Sequence, residues 1–253
     1  MEKGKGGSVR KFIKREFFPF WKQLSIEEQS LITSSATRRI VKKGTTVYNG
    51  SSDCLGLILV VSGQLRAYIN SEEGREITIY RLFDRDTCMF SASCMLQNLQ
   101  FDITIEAERD SELWIIPPTI FKKLMDTSLP VSNFVNQIIA GRFSEVMWLI
   151  EQILWKSFDK RLAAFLLEEN ELESAETEKS GNKNTTQENT LPAENGDSDI
   201  IRITHERIAN HLGTAREVVT RMLKYFQNEK LVELKRGSIK ILDKEKLEEM
   251  AGR

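Results

Sequence analysis

A chain of 253 residues that is 40% hydrophobic and 29% charged has apolar material for two modest domains with real cores. No apolar run approaches the ~20 residues that span a bilayer. The basic first fifteen residues lack the apolar segment of a signal peptide, so a cytoplasmic protein with no membrane partner is expected. Three cysteines, a low and odd number, speak for a reducing compartment and against a disulfide framework.

The net charge of −1 conceals a division along the chain. Residues 168–199 carry ten acidic and two basic side chains, whereas residues 200–253 carry twelve Lys/Arg against eight Asp/Glu. A basic C-terminal module behind an acidic stretch is a pattern that suits nucleic acid.

In chain order, residues 17–34 read as a short helical entry with Leu24, Ile26 and Leu31 apolar. Residues 38–116 change to short β-type runs: Thr45-Thr46-Val47-Tyr48, the apolar run from Leu57 to Val61, Gln64-Leu65-Arg66-Ala67-Tyr68-Ile69, Glu76-Ile77-Thr78-Ile79-Tyr80, Ile103-Thr104-Ile105 and Leu113-Trp114-Ile115-Ile116. The turn signals Lys43-Gly44, Asn49-Gly50, Ser62-Gly63 and Glu73-Gly74 recur beside them, which implies an antiparallel sandwich or barrel. After Pro117-Pro118 the pattern turns helical, and residues 130–157 form the longest helix. Val135, Ile139, Arg142, Val146, Leu149 and Ile153 are spaced like a coiled-coil seam. Phe134, Ile138, Phe143, Met147 and Ile150 lie beside it, so one side can pack at home and the other on a partner. A further helix begins at Phe158 and dissolves into residues 171–199, which are poor in aliphatic side chains and are expected to form a flexible acidic loop. The expected domains are 1–129, a β sensor with its helical entry; 130–157, a dimerisation helix; and 158–253, the C-terminal module with its insertion.

The most informative segment is residues 203–226. Thr204 can cap a helix over 205–211 with Ile208, Ala209 and Leu212 facing inward. Gly213 supplies a tight turn, and Thr214 with Glu217 has capping-box spacing for a second helix. That helix turns Val218, Val219, Met222, Leu223 and Phe226 to one side and Arg216, Glu217, Thr220, Arg221 and Lys224 to the other. A recognition helix needs such a division, since its back is anchored while its front meets base edges. Arginine can bridge the two acceptors of guanine and glutamate can accept from cytosine. Thr220 and Lys224 suit the phosphates that position the protein, and Thr204 and Thr214 at the two helix starts are counted with them among the DNA-binding residues. Residues 231–242, centred on Lys235-Arg236-Gly237-Ser238, read as a β-hairpin wing. The alternative is an amphipathic helix pair with a solvated charged face.

Through these and a few further motifs the chain resembles the Crp–Fnr (catabolite activator) family of bacterial regulators. The carriers are Lys43-Gly44, Ser62-Gly63-Gln64-Leu65, Glu73-Gly74-Arg75-Glu76, Phe158-Asp159-Lys160-Arg161 and the run from Leu212-Gly213-Thr214-Ala215 through Arg221. The resemblance implies an α+β protein with an N-terminal cyclic-nucleotide-binding-type β-roll, a long dimerisation helix and a C-terminal winged helix-turn-helix. It implies a homodimer on double-stranded DNA that recruits or blocks RNA polymerase. The family's Arg-Glu-x-x-x-Arg pattern falls on Arg216, Glu217 and Arg221, implying G·C-containing half-sites in an inverted repeat, similar to TGTGA.

The sensor departs from the cyclic-AMP binders. Their phosphate cassette carries an Arg-Ser pair, but no arginine occurs here between Arg85 and Arg109, and Asp102 lies near where the phosphate would sit. Like charge repels such a ligand. Val146 and Met147 stand where those members place hydroxyls for the purine. A four-thiolate iron–sulfur cluster exceeds the three cysteines. Cys88 and Cys94 are candidates for a redox pair or for ligands to haem or a metal, and equally for small buried hydrophobes. Cys54 reads as core. Phe90, Met89, Met95, Phe101 and Trp148 can line an apolar effector pocket or simply pack. The cofactor and the small-molecule or redox effector stay open, and no metal site is assigned.

A cupin-like β-barrel enzyme fused to a helical module is the competing class. Cupin metal sites rely on histidines in the barrel, and the two histidines, His205 and His211, both fall in the C-terminal module, where they read as surface or phosphate-facing. No nucleophile or general-base constellation marks the β domain, so no enzyme is expected.

Overall fold

The computed structural model describes residues 18–50, 54–89, 102–181 and 199–252. Phe90, Cys94, Met95 and Phe101 therefore lie outside the described residues, as do 182–198 of the acidic stretch. The described residues form two compact units, one within 1–69 and 79–146, the other within 70–78 and 147–253.

In the first unit a 3-10 turn (Trp21–Gln23) leads to α1 (Ile26–Ser35). A reciprocal cap starts α1: Ser25 Oγ accepts from the Glu28 amide at 3.2 Å and Glu28 accepts from the Ser25 amide at 2.7 Å. Eight strands follow among the described residues: β1 (Thr37–Val41), β2 (Thr46–Tyr48), β3 (Leu57–Ser62), β4 (Leu65–Asn70), β5 (Glu76–Leu82), β6 (Thr87–Cys88), β7 (Thr104–Ala107) and β8 (Ser111–Ile116), the end of β4 and the start of β5 falling within 70–78 of the second unit. They make two four-stranded sheets of order β1-β8-β3-β6 and β2-β7-β4-β5. The pairings β1–β8, β3–β8, β3–β6, β2–β7 and β4–β7 are antiparallel.

Strand β3 shows why its sequence is apolar without alternation. Leu57 and Leu59 enter a core with Trp114, Ile116, Phe121 and Leu124. Ile58 and Val60 enter a second core with Leu65, Ala67, Ile105 and Leu113. Both faces of the strand are covered, so every position gains by being apolar, at ~1.5–3 kcal/mol for each fully buried side chain. Gly56, just before β3, has φ +98°, and a Cβ there would run into the Ile116 carbonyl oxygen.

Two helices close this part of the chain: α2 (Pro118–Thr127), begun by proline in its first turn, and α3 (Leu129–Trp155). At 27 residues, α3 is about 40 Å long. The expected seam is split along its length, with Ile139 and Ile153 exposed at 42% and 40%. Val131 and Val135 are buried in the core of the first unit, and Arg142 stacks 4.4 Å over the Tyr80 ring and pairs with Glu145 at 2.6 Å. Val146 and Leu149 are half-buried. Beside that seam an exposed apolar row runs through Phe143, Met147, Ile150 and Leu154, at 66%, 47%, 41% and 67% exposure. Its spacing of 4, 3 and 4 also suits a coiled coil. The core of the first unit claims the start of the helix at Val131 and Val135, and exposed apolar side chains of both rows follow from Ile139 onward.

The second unit contains α4 (Phe158–Gly181), β9 (Ile200–Ile201), α5 (His205–Leu212), α6 (Arg216–Asn228), β10 (Val232–Lys235), β11 (Ser238–Ile241) and α7 (Lys244–Ala251). Leu162, Phe165 and Leu166 of α4, Ile208 of α5, Val219, Leu223 and Phe226 of α6, and Leu247 of α7 share one core. The three short strands form an antiparallel sheet of order β10-β11-β9. Helix α4 corrects the expected loop at 171–199, because it continues to Gly181. Glu171, Leu172, Glu173 and Ala175 are good helix formers. Glu173 also accepts from the Arg202 amide at 2.7 Å, and the Ser174 hydroxyl donates to the Asn170 carbonyl at 2.8 Å.

Candidate nucleic-acid interface

Two short helices build the interface. The Thr204 hydroxyl caps α5 by accepting from the Arg207 amide at 3.2 Å. Gly213 ends the helix in the left-handed conformation, φ +64° and ψ +43°, a region that costs glycine least. A Cβ at Gly213 would come 2.8 Å from Ile77 Cδ1, within the second unit. The Thr214 amide then bonds back to the Ala209 carbonyl at 3.0 Å, the closure that completes a helix C-terminus.

That closure explains a departure from the expected capping box. Thr214 still belongs to the end of α5, so α6 begins one residue later with Ala215 as its cap and without a side-chain cap. Glu217 is thereby left in the first exposed turn instead of reaching back.

Helix α6 is held from behind by Val219, Leu223 and Phe226, each 0% exposed. Val218 and Met222 are half-buried on its flanks. On the front, Arg216, Glu217, Arg221 and Lys224 are exposed and Thr220 is half-exposed. The five line a concavity of about 350 Å³. Two fixed guanidinium forks, one ammonium and one carboxylate thus occupy a single helix face, able to meet base edges and phosphates together. Beyond α6, the β10–β11 hairpin turns at Arg236-Gly237, with Gly237 at φ +78°, and Lys235 and Arg236 are exposed. Thr204 and Thr214 sit at the two ends of α5, exposed and half-buried respectively.

Both histidines have roles that periodicity could not assign. His205 Nδ1 lies 2.9 Å from Thr220 Oγ1, and that hydroxyl donates to the Arg216 carbonyl at 2.9 Å. Burial, and then the positive charge of Arg216, hold the His205 imidazole below its ordinary pKa. His211 was expected at the surface, but it is buried. Its ring centroid lies 5.2 Å from that of Phe165, and its Nδ1 is 2.9 Å from Thr78 Oγ1. A ring that packs on an aromatic neighbour and has a hydroxyl partner is satisfied inside.

The effector candidates of the first unit fall differently. Cys88 is a buried free thiol 3.6 Å from the Tyr80 hydroxyl. Tyr80 is buried too, and desolvation foremost, with Cys88 beside it, raises its pKa well above the ordinary value. Cys54, expected as core, is half-buried and disulfide-bonded, which corrects the expectation of a chain without disulfides. Cys88 takes no part in that bond, so the candidate pairing of Cys88 with Cys94 is not the disulfide formed, since the number of cysteines carries no information on which of them the fold brings together. Val146 is half-buried and Met147 is exposed on the outer stripe of α3. Among the described residues no helix is long and apolar enough to cross a membrane.

Residues 38–128 match the model of the cyclic nucleotide-binding domain, and residues 160–250 match that of the Crp-like helix-turn-helix domain. A solved structure from Eubacterium rectale, described as a transcriptional regulator of the Crp/Fnr family, is 51% identical. It covers 94% of this chain and 100% of its own, with a TM-score of 0.83. The fumarate and nitrate reduction regulatory protein of Yersinia pestis is 28% identical over 85% of this chain and 78% of its own length. The global nitrogen regulator of Synechococcus elongatus is 21% identical over 80% and 84%. Strand order, helix-turn-helix geometry and these similarities agree, and the chain belongs to the Crp/Fnr family of DNA-binding transcription regulators.

Proposed function

We propose that the protein works as a homodimer in the cytoplasm, reads an inverted-repeat promoter site, and is gated by an effector other than cyclic AMP acting through its β-roll. The observation that carries the reading is the α6 face, where Arg216, Glu217, Thr220, Arg221 and Lys224 line one concavity on a helix anchored from behind. Arg216 and Arg221 read guanines, Glu217 accepts from cytosine, and Thr204, Thr214, Thr220 and Lys224 hold phosphates. A twofold dimer sets two such helices ~34 Å apart, one turn of the duplex. The outer stripe of α3, centred on Phe143, Met147, Ile150 and Leu154, supports the dimer. Bound beside a promoter, the dimer engages or obstructs RNA polymerase. No catalytic step is ascribed to the chain.

The gating has a route within the first unit. Cys88 on β6 touches Tyr80 on β5, and the Tyr80 ring carries Arg142 of α3. An effector that displaces this ring, whether a thiol-directed oxidant or an apolar ligand, acts on α3 directly. Arginine is absent between Arg85 and Arg109, and Asp102 is exposed beside Gly50, an arrangement that disfavours a cyclic phosphate.

The test is selection of binding sites by the full-length protein from a random duplex pool, under reducing and oxidising conditions. A palindromic motif that Arg216→Ala and Arg221→Ala relax at G·C positions supports the reading. Unchanged selectivity in both variants refutes it.

A further inference from the structure

We propose that His205 is a proton-linked DNA contact: with Nδ1 committed to Thr220, its Nε2 edge meets a backbone phosphate of the duplex and takes up one proton from solvent as DNA binds. The inference rests on the DNA-binding reading of α6 and adds to it a residue outside that helix. The geometry begins with the Thr220 hydroxyl. It has a single hydrogen, which it gives to the Arg216 carbonyl at 2.9 Å. Toward His205 Nδ1, also at 2.9 Å, it can then only accept. The hydrogen bond therefore fixes the Nδ1–H tautomer and leaves Nε2, on the opposite edge of the ring, as the atom that gains or loses a proton. No hydrogen bond to Nε2 is found among the described residues.

The ring stands at the edge of the proposed interface, because Thr220 itself lines the α6 concavity with Arg216, Glu217, Arg221 and Lys224. Helix α6 packs against α5, as does α4 through Phe165 and Arg161 at the far end of that helix from His205. Of the charged groups on α6, Arg216 is the one that acts on His205 and, together with burial, disfavours the imidazolium in the free protein. Glu206 and Arg207 adjoin it on α5. A duplex phosphate brings the opposite charge to the same place. It offsets Arg216, accepts a hydrogen bond from Nε2–H and favours the protonated ring. The Nδ1 bond is the same in both states, so the ring is held while its other edge titrates.

The sign follows from linkage. The DNA-bound state holds the proton more tightly than the free state, so affinity rises as pH falls through the bound-state pKa and levels off below the free-state pKa. Affinity gains about tenfold for each unit of difference between the two. A phosphate contact carries no sequence information, so an unrelated duplex must show the same trend.

The experiment uses the full chain, a 30-base-pair duplex recovered by selection and an unrelated duplex of equal length. Kd is followed by fluorescence anisotropy between about pH 5.5 and 8 at constant ionic strength. Calorimetry in two buffers of different ionisation enthalpy counts protons. The expected result is tighter binding to both duplexes at lower pH and uptake approaching one proton. His205→Gln, which keeps an amide donor for Thr220 but cannot titrate, loses the slope, and Thr220→Val, which removes the acceptor that orients the ring, reduces it. A role confined to stapling α5 to α6 would lower affinity equally at every pH, which overturns the proposal. So does a slope that survives His205→Gln, which would assign the proton to His211 or another group. Binding with no pH slope in the wild type sinks this inference alone. Absence of binding to either duplex at any pH sinks the DNA-binding reading with it.

Discussion

Replacing Leu154 by alanine separates two readings of helix α3. Leu154 is 67% exposed in the single chain and ends the outer stripe begun by Phe143, Met147 and Ile150. If a twofold partner covers that stripe, burying the exposed two-thirds of a leucine contributes ~1–2 kcal/mol. Twofold symmetry counts the loss twice, so Leu154→Ala weakens the dimer by ~2–4 kcal/mol, or about 30- to 1,000-fold in Kd. Sedimentation equilibrium over a wide concentration range reads this directly. Val135, 2% exposed in the core of the first unit, behaves oppositely. Val135→Ala costs ~2 kcal/mol of folding stability through lost burial and a small cavity, seen as a lower urea midpoint, with the association constant little changed. A dimer constant that ignores Leu154→Ala but responds to Val135→Ala would refute the assignment and restore the seam through Val135, Ile139 and Val146.

Three further outcomes are expected. Arg216→Ala and Arg221→Ala each lose ~1–3 kcal/mol of discrimination at one base pair, about 5- to 150-fold, while Lys224→Ala weakens all sequences alike and reduces the salt slope of log K by about one; competition binding with single-substitution duplexes tells these patterns apart. Gly213→Ala destabilises the second unit by ~1–2 kcal/mol, because alanine is strained at φ +64° and Ile77 must move, and unchanged thermal unfolding would contradict that strain. Tyr80, whose folded pKa is raised by burial, stabilises fully below its unfolded pKa of about 10 and loses that contribution as pH rises toward the folded value. The melting temperature therefore falls above about pH 10, and in Tyr80→Phe this part of the fall disappears.

The sequence made some elements legible for physical reasons. The apolar run at Leu57 to Val61 and the inward row Val219, Leu223 and Phe226 both arise from burial, the one signal that periodicity carries strongly. Elements whose stability comes from elsewhere left no such mark. Strand β1 is Thr-Arg-Arg-Ile-Val with only its last residue buried, and it is held by its ladder to β8 and by the 2.6 Å pair between Arg38 and Glu112. Strand β6 is two residues long, too short for any pattern. Helix α7 turns only Leu247 and Ala251 fully inward. The capping box at Thr214 had the right spacing, yet spacing could not reveal that the Thr214 amide was already engaged by Ala209. The bond between His205 and Thr220 joins residues fifteen apart on different helices, a relation fixed by how α5 and α6 cross.

The proposed reading face of α6 draws on five side chains of one helix, so its pattern is compact in sequence. The proposed route from the β-roll to α3 draws on Cys88, Tyr80, Arg142 and Glu145, from two strands and a helix. Nothing in their spacing announces it. Its chemistry is also tolerant, since a buried ring stacked on an arginine can be displaced by an oxidised thiol or by an apolar ligand. A ligand shifts such an equilibrium only by its differential affinity for the two arrangements. To invert a 1:99 population it must favour one by about 10⁴-fold, or ~5.5 kcal/mol. Loss of the thiol–hydroxyl contact alone is worth about 1 kcal/mol. A modification of Cys88 therefore gates DNA binding only if it also breaks the stacking of Tyr80 on Arg142, and Arg142→Ala should leave the dimer's DNA affinity indifferent to the state of Cys88.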